Sequence, residues 1–281
     1  MMARSARPSC ALASARLLAM AVAAAACAGP TLAADAVAPV DHGWEGALGL
    51  MLSNAPEYQG AQDRVTKAVP GFFVRWGRVT VTNASGFVTR HSDDVERGLG
   101  IDLSRSERVK LKLAARFDAG RSENDSPALA GLGDIDMTVR ARINGSWQVD
   151  EHWKFNASWS VDAFGRGGGN LGDVGVQYDL RLTPSTTATF STLLTVAGDR
   201  YLQTYFGISP EQAARTAYPV YTPPFGLRDI SLVASLHSEL GPRWVMLGGL
   251  TVTRLLGPAA DSPLVKKPSS LRLSGGLAYR F

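Results

Sequence analysis

Histidines beside acidic residues have the clearest potential for catalysis in this chain. His42 follows Asp41, and His152 follows Glu151. A histidine acts as a general base when it lies within hydrogen-bond reach of the proton that it removes. Neither pair has an adjacent serine or a further carboxylate, so we predict no catalytic role for His42 or His152.

Two other histidines could support hydrolysis. His91 lies close to Asp93 and Asp94, and an acid and histidine pair of this kind could activate water for proteolysis. His237 shares one face of a predicted strand with Ser235, which is compatible with nucleophilic chemistry. A solvated loop and a polar wall explain the same residues more simply. We therefore expect that the protein is not an enzyme.

Acidic residues and a glycine-rich run are the candidates for ligand binding. Glu123, Asp125, Asp134 and Asp136 could hold calcium, but their spacing does not match a helix-loop-helix calcium site. The run 165–169 is rich in glycine, but no predicted helix follows whose amides would cradle a phosphate. We predict no metal and no cofactor.

The first 34 residues have the pattern of a secretory signal peptide. Arg4, Arg7 and Arg16 precede the apolar run 17–26, and small residues follow around Ala33. This order of a basic region, an apolar region and small residues is typical of a cleaved leader. We expect a signal peptide at 1–34 and a mature domain at 35–281.

The leader accounts for both cysteines and for much of the basic character of the chain. Cys10 and Cys27 lie in the leader, so we expect a mature protein without thiols or disulfides. Without the three leader arginines, basic residues nearly balance the 25 acidic ones. This balance gives no reason to expect a nucleic-acid partner.

Beyond the leader, the sequence offers strands rather than helices for crossing a membrane. It lacks the roughly 18 uncharged apolar residues that a spanning helix needs, so a membrane protein of this sequence must be a barrel. The last segment alternates apolar and polar residues and ends on an aromatic one, which suits a wall between lipid and water. Its apolar face is Leu271, Leu273, Leu277, Tyr279 and Phe281.

Two-residue periodicity predicts an antiparallel up-and-down transmembrane β-barrel of about twelve strands. The predicted strands are 44–53, 69–76, 78–88, 97–104, 107–118, 134–145, 151–163, 172–182, 186–196, 228–238, 243–255 and 271–281. Short turns at Gly77, 105–106, 145–150, Pro184 and 241–242 alternate with loops at 54–68, 89–96, 119–133, 164–171, 197–227 and 256–270. Bacterial barrels alternate in this way, with the short turns in the periplasm.

Charged and aromatic residues fit the same barrel. Val109, Leu111 and Leu113 alternate with Lys110 and Lys112, and the segments 134–145 and 172–182 repeat the arrangement with both signs of charge. This pattern predicts a polar lumen with paired charges. The tryptophans fall mostly near strand ends, where aromatic girdles meet the lipid headgroups. They are Trp44, Trp76, Trp147, Trp153, Trp159 and Trp244.

The external connection 197–227 is the longest loop and is rich in aromatic residues. Ser209 and Pro210 form a good start for a short helix. We expect this loop to fold over or into the barrel mouth, where it could gate access or present a recognition surface. Tyr205, Phe206 and Tyr221 are its candidate contact residues.

Several short motifs resemble the MipA/OmpV family of outer-membrane proteins. They are Glu57-Tyr58-Gln59-Gly60, Tyr205-Phe206-Gly207-Ile208, the stretch 213–221 leading into Gly226-Leu227-Arg228-Asp229, Leu255-Leu256-Gly257, Asp261-Ser262-Pro263-Leu264-Val265 and Tyr279-Arg280-Phe281. The chain departs from the family pattern at Thr216-Ala217, where Ser-Gly is frequent, and at Pro258, where Asp is common. The resemblance implies an integral outer-membrane barrel in contact with membrane lipid.

The resemblance also implies a scaffold for peptidoglycan remodelling, with a murein lytic transglycosylase and a penicillin-binding protein as partners. Such a scaffold would expose contacts on the periplasmic side. The candidates there are Trp147, Gln148, Asp150, Glu239 and Arg243. A narrow solute channel through the lumen and an adhesin that acts through the long aromatic loop are the alternatives.

Overall fold

The computed structural model describes residues 43–83, 97–104, 106 and 108–281. The expected signal peptide, His42, and the loop with His91, Asp93 and Asp94 lie outside these residues. Among the described residues, no helix is long and apolar enough to span a membrane.

The described residues form twelve strands that close into one barrel. Each strand pairs antiparallel with its neighbours in the chain, and β12 returns to pair with β1. The strands are β1 Trp44–Pro56, β2 Arg64–Trp76, β3 Val79–Thr82, β4 Gly98–Asp102, β5 Val109–Asp118, β6 Thr138–Gln148, β7 Trp153–Asp162, β8 Asn170–Thr183, β9 Thr186–Ala197, β10 Gly226–Glu239, β11 Trp244–Leu255 and β12 Ser269–Arg280. The predicted up-and-down barrel is confirmed.

Three predicted boundaries are wrong. The first loop was expected at 54–68, but β1 continues to Pro56 and β2 begins at Arg64, because the pairing of the two strands extends to Pro56 and Arg64. The sixth strand begins at Thr138, since residues 134–137 belong to a loop in which Ile135 bridges back to Arg121. The turn that follows β6 starts only after Gln148, so most of the turn expected at 145–150 is strand.

Connections alternate between a short-turn end and a long-loop end, as predicted. The short turns are 77–78, 103–108, 149–152, 184–185 and 240–243; the longer connections among described residues are 57–63, 119–137, 163–169, 198–225 and 256–268. Trp44 of β1 and Phe281 after β12 both lie at the short-turn end, since Trp44 pairs with Trp76 and Phe281 pairs with Gly46. In bacterial outer-membrane barrels, short turns of this kind lie on the periplasmic side.

The two faces of the wall differ as a membrane barrel requires. Leu48, Leu50 and Leu52 of β1 point outward and are 52–57% exposed, whereas the alternate residue Ala47 is 1% exposed. Apolar side chains cover the outer face around the ladder, and lipid replaces water there. The chain is thus a membrane-spanning barrel.

Aromatic pairs ring the short-turn end. Directly opposed residues on neighbouring strands contact each other there: Trp44 with Trp76, Trp147 with Phe155, Trp153 with Tyr178 and Trp244 with Tyr279. Ring centroids in these pairs lie 4.8 to 5.9 Å apart. Cross-strand aromatic pairs stabilise a sheet, and a ring of aromatic residues at one end of a barrel is typical of a girdle at the lipid headgroups.

The inner wall is divided into an apolar and a polar side. On β1, β2, β11 and β12, near the short-turn end, Ala47, Phe73, Val245, Leu247 and Ala278 form a buried cluster. The strands from β5 to β10 instead place buried charged and hydroxyl side chains inside. The apolar cluster fills part of the lumen, and the polar side defines where a solute or a loop could interact.

We expect depth-dependent destabilisation from charges on the outer face of β5. Leu113 lies mid-strand and Val109 near the headgroups, and both face outward. Leu113→Arg should lower the free energy of unfolding by about 2–4 kcal/mol, and Val109→Arg by about 0–1 kcal/mol. Denaturant unfolding in lipid vesicles measures both. Equal effects at the two positions would show that β5 is not placed across the membrane as described.

Candidate functional site: a folded cap on the long-loop end

The long connections at the external end fold together into one structure. We call the connections 57–63, 119–137, 198–225 and 256–268 the cap. They contain the helices α1 Asp199–Phe206, α2 Pro210–Ala213 and α3 Gly257–Ala260, and two short 3-10 turns at Glu123–Asp125 and Pro127–Leu129. Such regular structure agrees with the predicted folded loop.

Local sequence signals start the cap helices. The Ser209 hydroxyl accepts the Gln212 amide and the Gln212 side chain accepts the Ser209 amide, which is a reciprocal N-cap for α2. The predicted short helix is therefore confirmed, although it ends at Ala213. The helix α1 was not predicted, because Gly198 precedes it without a side-chain cap.

Two of the acidic residues that could hold calcium, Glu123 and Asp134, instead accept hydrogen bonds within the cap loop 119–137. The Glu123 carboxylate accepts the amides of Gly131 and Gly133, at 3.1 and 3.0 Å. Asp134 accepts the Ser122 hydroxyl at 2.9 Å and the Glu123 amide at 2.8 Å. The Glu123 amide and the Ser122 hydroxyl hold the pKa of Asp134 below its usual range. The carboxylates shape the loop.

The cap has its own hydrophobic core, built from segments far apart in the sequence. Leu129, Ile208 and Leu264 come from three different connections and are at most 1% exposed. Tyr58 joins them from the first connection. A second cluster packs Leu202 and Phe206 of α1 against Leu255 and Ala259, next to the barrel end. Burial of this apolar area stabilises the closed cap.

Tyrosine hydroxyls link the cap loops to one another. Tyr58 donates to the Leu264 carbonyl at 3.1 Å, Tyr218 to the Ala128 carbonyl at 3.1 Å and Tyr221 to the Pro258 carbonyl at 2.8 Å. Burial raises the pKa of Tyr58 to about 12. Each hydroxyl joins two different connections of the cap.

A charged layer lies between the cap and the lumen. It comprises Asp118, Arg140, Tyr201, Tyr205 and Arg228. Arg140 Nε donates to Asp118 Oδ2 at 3.0 Å, and the Tyr205 hydroxyl donates to Asp118 Oδ1 at 3.2 Å. Thus one carboxylate joins the wall to helix α1.

Tyr201 completes the charged layer. The guanidinium carbons of Arg140 and Arg228 lie 5.1 and 5.5 Å from the centre of its ring. Arg228 also donates to the Tyr201 hydroxyl at 3.2 Å. Cation–π contacts of this kind are stronger where water is excluded, and Tyr201 is 5% exposed. Two strands of the wall thereby hold helix α1 over the mouth.

Further paired charges line the polar side of the lumen, as the sequence predicted. Arg142 lies 3.2 Å from Asp173, which also accepts the hydroxyls of Ser158 and Thr195. Lys112 lies 3.4 Å from Asp102. Buried charges are costly unless paired and hydrogen-bonded.

The aromatic residues proposed as external contacts lie within the cap. Phe206 is 1% exposed, and Tyr205 and Tyr221 are partly buried and donate to Asp118 and the Pro258 carbonyl. Burial and the neighbouring Asp118 raise the pKa of Tyr205. At this end, the more exposed aromatics are Phe164 and Phe225, at 65% and 59%. Periodicity did not single these two out because they flank the strands.

Three of the candidate periplasmic contacts lie in and beside one short turn. Trp147 points outward and stacks on Phe155, with centroids 5.9 Å apart, so its ring faces lipid. The Gln148 side chain donates to the Asp150 carbonyl. Asp150 accepts the amides of His152 and Trp153, both at 2.8 Å. Gln148 and Asp150 thus shape the turn 149–152.

Glu239 and Arg243 lie beside another short turn. Glu239 accepts from Arg280 at 2.7 Å, and Arg243 donates to the Tyr279 hydroxyl at 2.9 Å. The five candidates therefore all lie at the short-turn end, but they belong to two different turns.

Two histidines, His152 and His237, lie within the described residues. His152 Nδ1 lies 2.9 Å from the Asp179 carbonyl, and its ring stacks on Tyr178. His237 is 8% exposed and lies on the inner face of β10. Among the described residues, no group of three or more potential ligands is arranged to hold a metal ion.

The sequence of this barrel matches a known family of proteins. The sequence profile described as MltA-interacting protein MipA matches residues 48–281. The chain belongs to the MipA family. Together with the closed barrel and its apolar outer face, membership makes the protein an integral outer-membrane barrel.

The chain also shows low similarity to solved outer-membrane barrel structures. No curated protein matches the sequence. Among solved structures, Pseudomonas putida OprB is 8% identical with a TM-score of 0.45, covering 86% of this chain and 95% of that one. The COG4313 outer-membrane channel from Pseudomonas putida F1 is 11% identical with a TM-score of 0.40, covering 88% and 100%. The translocator domain of NalP from Neisseria meningitidis is 9% identical with a TM-score of 0.40, covering 96% and 97%. Similarity this low has no bearing on the chemistry of the MipA-family chain.

Most motifs that resemble the MipA family meet in the cap. Residues 57–60, 205–208 and 261–265 lie in three different connections, and their side chains pack in the two cap clusters. The two departures from the pattern also lie in the cap. There the Thr216 hydroxyl donates to the Gln212 carbonyl, and the Pro258 carbonyl accepts from Tyr221. The stretches of this chain that resemble the family therefore lie mostly in the cap.

We expect Asp118→Asn to loosen the cap. The change removes the charge that pairs with Arg140, which is 3% exposed, and breaking a buried pair costs about 3 kcal/mol. Denaturant unfolding and limited proteolysis within 198–225 measure the effect. Asp63→Asn, at an exposed cap carboxylate, is the matched control and should change stability by less than about 0.5 kcal/mol. Equal protease resistance in both variants and wild type would contradict this role of Asp118.

We expect the cap to weaken at alkaline pH through Tyr58. Its folded-state pKa is about 12 against an ordinary value of 10.0, so the stability contributed by the neutral phenol is present below pH 10 and is lost as pH rises through 12. Ultraviolet titration of tyrosinate should show a late step, to which Tyr205 and Tyr221 also contribute, and Tyr58→Phe should lower its amplitude by one tyrosine. Tyr279→Phe, at the opposite end, should leave that step in place. A Tyr58→Phe titration identical to wild type would refute this assignment.

Proposed function

We propose that the protein is a non-enzymatic scaffold in the outer membrane that binds peptidoglycan-remodelling enzymes from the periplasmic side. The observation that carries the proposal is the match of residues 48–281 to the family described as MltA-interacting protein. A murein lytic transglycosylase is therefore the first candidate partner, and a penicillin-binding protein is the second.

The closed cap supports the periplasmic side as the site of interaction. Most of its aromatic residues pack in its own core, and Phe225 is the exposed exception, which leaves few anchors at the external end. The short turns instead expose apolar residues beyond the girdle. Leu103, Val149 and Leu240 are 41–55% exposed, and each lies in a different turn.

A stable partner would have to contact several of these turns. Interfaces of stable complexes bury about 800 Å² on each partner, which is more than one short turn presents. Leu240 and Val149 could serve as apolar anchors, with Asp150, Glu239 and Arg243 as polar contacts around them. This arrangement of a few apolar anchors within a polar rim is typical of protein interfaces.

Photo-crosslinking in cells tests the scaffold. A photoreactive residue at Leu240 should capture a murein hydrolase or synthase, because this side chain projects from a periplasmic turn. The same residue at Phe164, on the external end, is the matched control and should capture neither. Capture of such enzymes from Phe164 and not from Leu240 would refute the proposed orientation and contact surface.

A gated channel is a second candidate function. The paired charges at Arg142 and Asp173 line the lumen beneath the cap, and movement of the cap would expose them to solutes. An adhesin would have to use Phe164 and Phe225 or an opened cap, because Phe206 is buried.

Planar-bilayer recording tests the channel. Wild-type protein should be silent while the cap is closed, and Asp118→Asn should produce discrete conductance steps. Arg142→Gln in that background should change the ion selectivity of those steps, since it removes a lumen cation. Silence of Asp118→Asn at a protein loading where a known porin conducts would exclude the gated channel.

A further inference from the structure

The lipid-facing wall contains a groove where β12 lies between β1 and β11. Its volume is about 620 Å³. Leu48, Leu50, Leu52, Leu277, Trp244 and Tyr279 are among the residues that line it, so its surface is almost wholly apolar. The groove is thus open to the membrane and unable to hold a polar ligand along its length.

Two opposed glycines lie at the top of the groove, and one of them, Gly275, is among its lining residues. Gly275 is paired with Gly248 on β11 and with Leu52 on β1. A Cβ at Gly275 would come no nearer than 3.9 Å to another residue, and a Cβ at Gly248 no nearer than 3.7 Å. The backbone does not require glycine at either position, and their small size leaves open space on the outer wall.

The length of the groove matches one leaflet. It runs along β12 from Tyr279, in the periplasmic girdle, to Gly275, a distance of about 13 Å at the rise of a strand. Half of a bilayer hydrocarbon core is about 15 Å thick. An acyl chain whose headgroup lies at the girdle would therefore fit the groove to its end.

A cationic hollow adjoins the groove at the headgroup level. It has a volume of about 470 Å³, is lined by Pro242, Arg243, Tyr279, Arg280 and Phe281, and shares Tyr279 with the groove. Arg280 is engaged by Glu239 at 2.7 Å. Among the described residues, no carboxylate, including the terminal one, lies within 4 Å of the Arg243 guanidinium. Its donation to the Tyr279 hydroxyl leaves other N–H groups for an anion.

We propose that the groove and the hollow together bind one anionic phospholipid of the periplasmic leaflet. One acyl chain lies over Gly275, and the phosphate accepts hydrogen bonds from Arg243. A guanidinium suits a phosphate because its donors are arranged as a planar fork. The argument for this site does not rest on the scaffold role, although Arg243 is a candidate contact in both. A second copy of the chain fits less well, because a symmetric contact would oppose two concave surfaces.

Native mass spectrometry tests the site. Wild-type barrel is reconstituted in nanodiscs of equal phosphatidylglycerol and phosphatidylcholine, released and analysed for retained lipid. Phosphatidylglycerol should be retained preferentially. Arg243→Gln should lower that preference at least about tenfold, the contribution of one charge-assisted hydrogen bond. Gly275→Leu should abolish retention of both lipids, because the leucine fills open space in the groove without displacing backbone.

Arg108→Gln is the matched control, since Arg108 is an exposed arginine in another short turn; it should retain lipid like wild type. Heat-modified migration on gels confirms that every variant is folded. Unchanged lipid preference in folded Arg243→Gln, or unchanged retention in folded Gly275→Leu, would overturn the site. Conversion of a wild-type dimer to a monomer by Gly275→Leu would also overturn it, because the groove would then be an interface between copies.

Discussion

Closure of the backbone hydrogen-bond ladder is the constraint on which the rest of this structure depends. Within lipid, an unpaired amide or carbonyl has no water to bond, so a sheet can cross the membrane only when its first and last strands meet. Here β12 pairs with β1 from Asn54 and Leu273 to Ala47 and Arg280. Once the ladder is closed, strict alternation separates a lipid face from a lumen face, and every connection must fall at one of two ends.

The two ends then take different structures because their connections differ in length. The short-turn end has little chain to fold, so it presents girdle aromatics, a few apolar turn residues and the groove beside β12. The long-loop end has enough chain to bury its own apolar side chains. Leu129, Ile208 and Leu264 do so above the barrel, and this burial explains why a loop rich in tyrosine and phenylalanine presents few of them to solvent.

The charged layer joins the cap to the barrel. Asp118 is the residue on which this joint depends, because it accepts from Arg140 of the wall and from Tyr205 of the cap helix. Buried ion pairs contribute little net stability but make single removals costly. A joint of this kind holds one geometry without strong net stabilisation.

Two-residue periodicity and the alternation of short and long connections were sufficient to predict the barrel, because the outer face must be apolar in every strand. Ser209 and Pro210 likewise predicted α2 from local capping alone. Residues 134–137 alternate as a strand does but belong to a loop, in which Asp134 accepts the Ser122 hydroxyl and the Glu123 amide. The cap core, the charged layer and the opposed glycines of the groove could not be predicted. Each joins residues far apart in the chain, and only strand register and loop packing, which depend on the whole closed barrel, decide which of them meet.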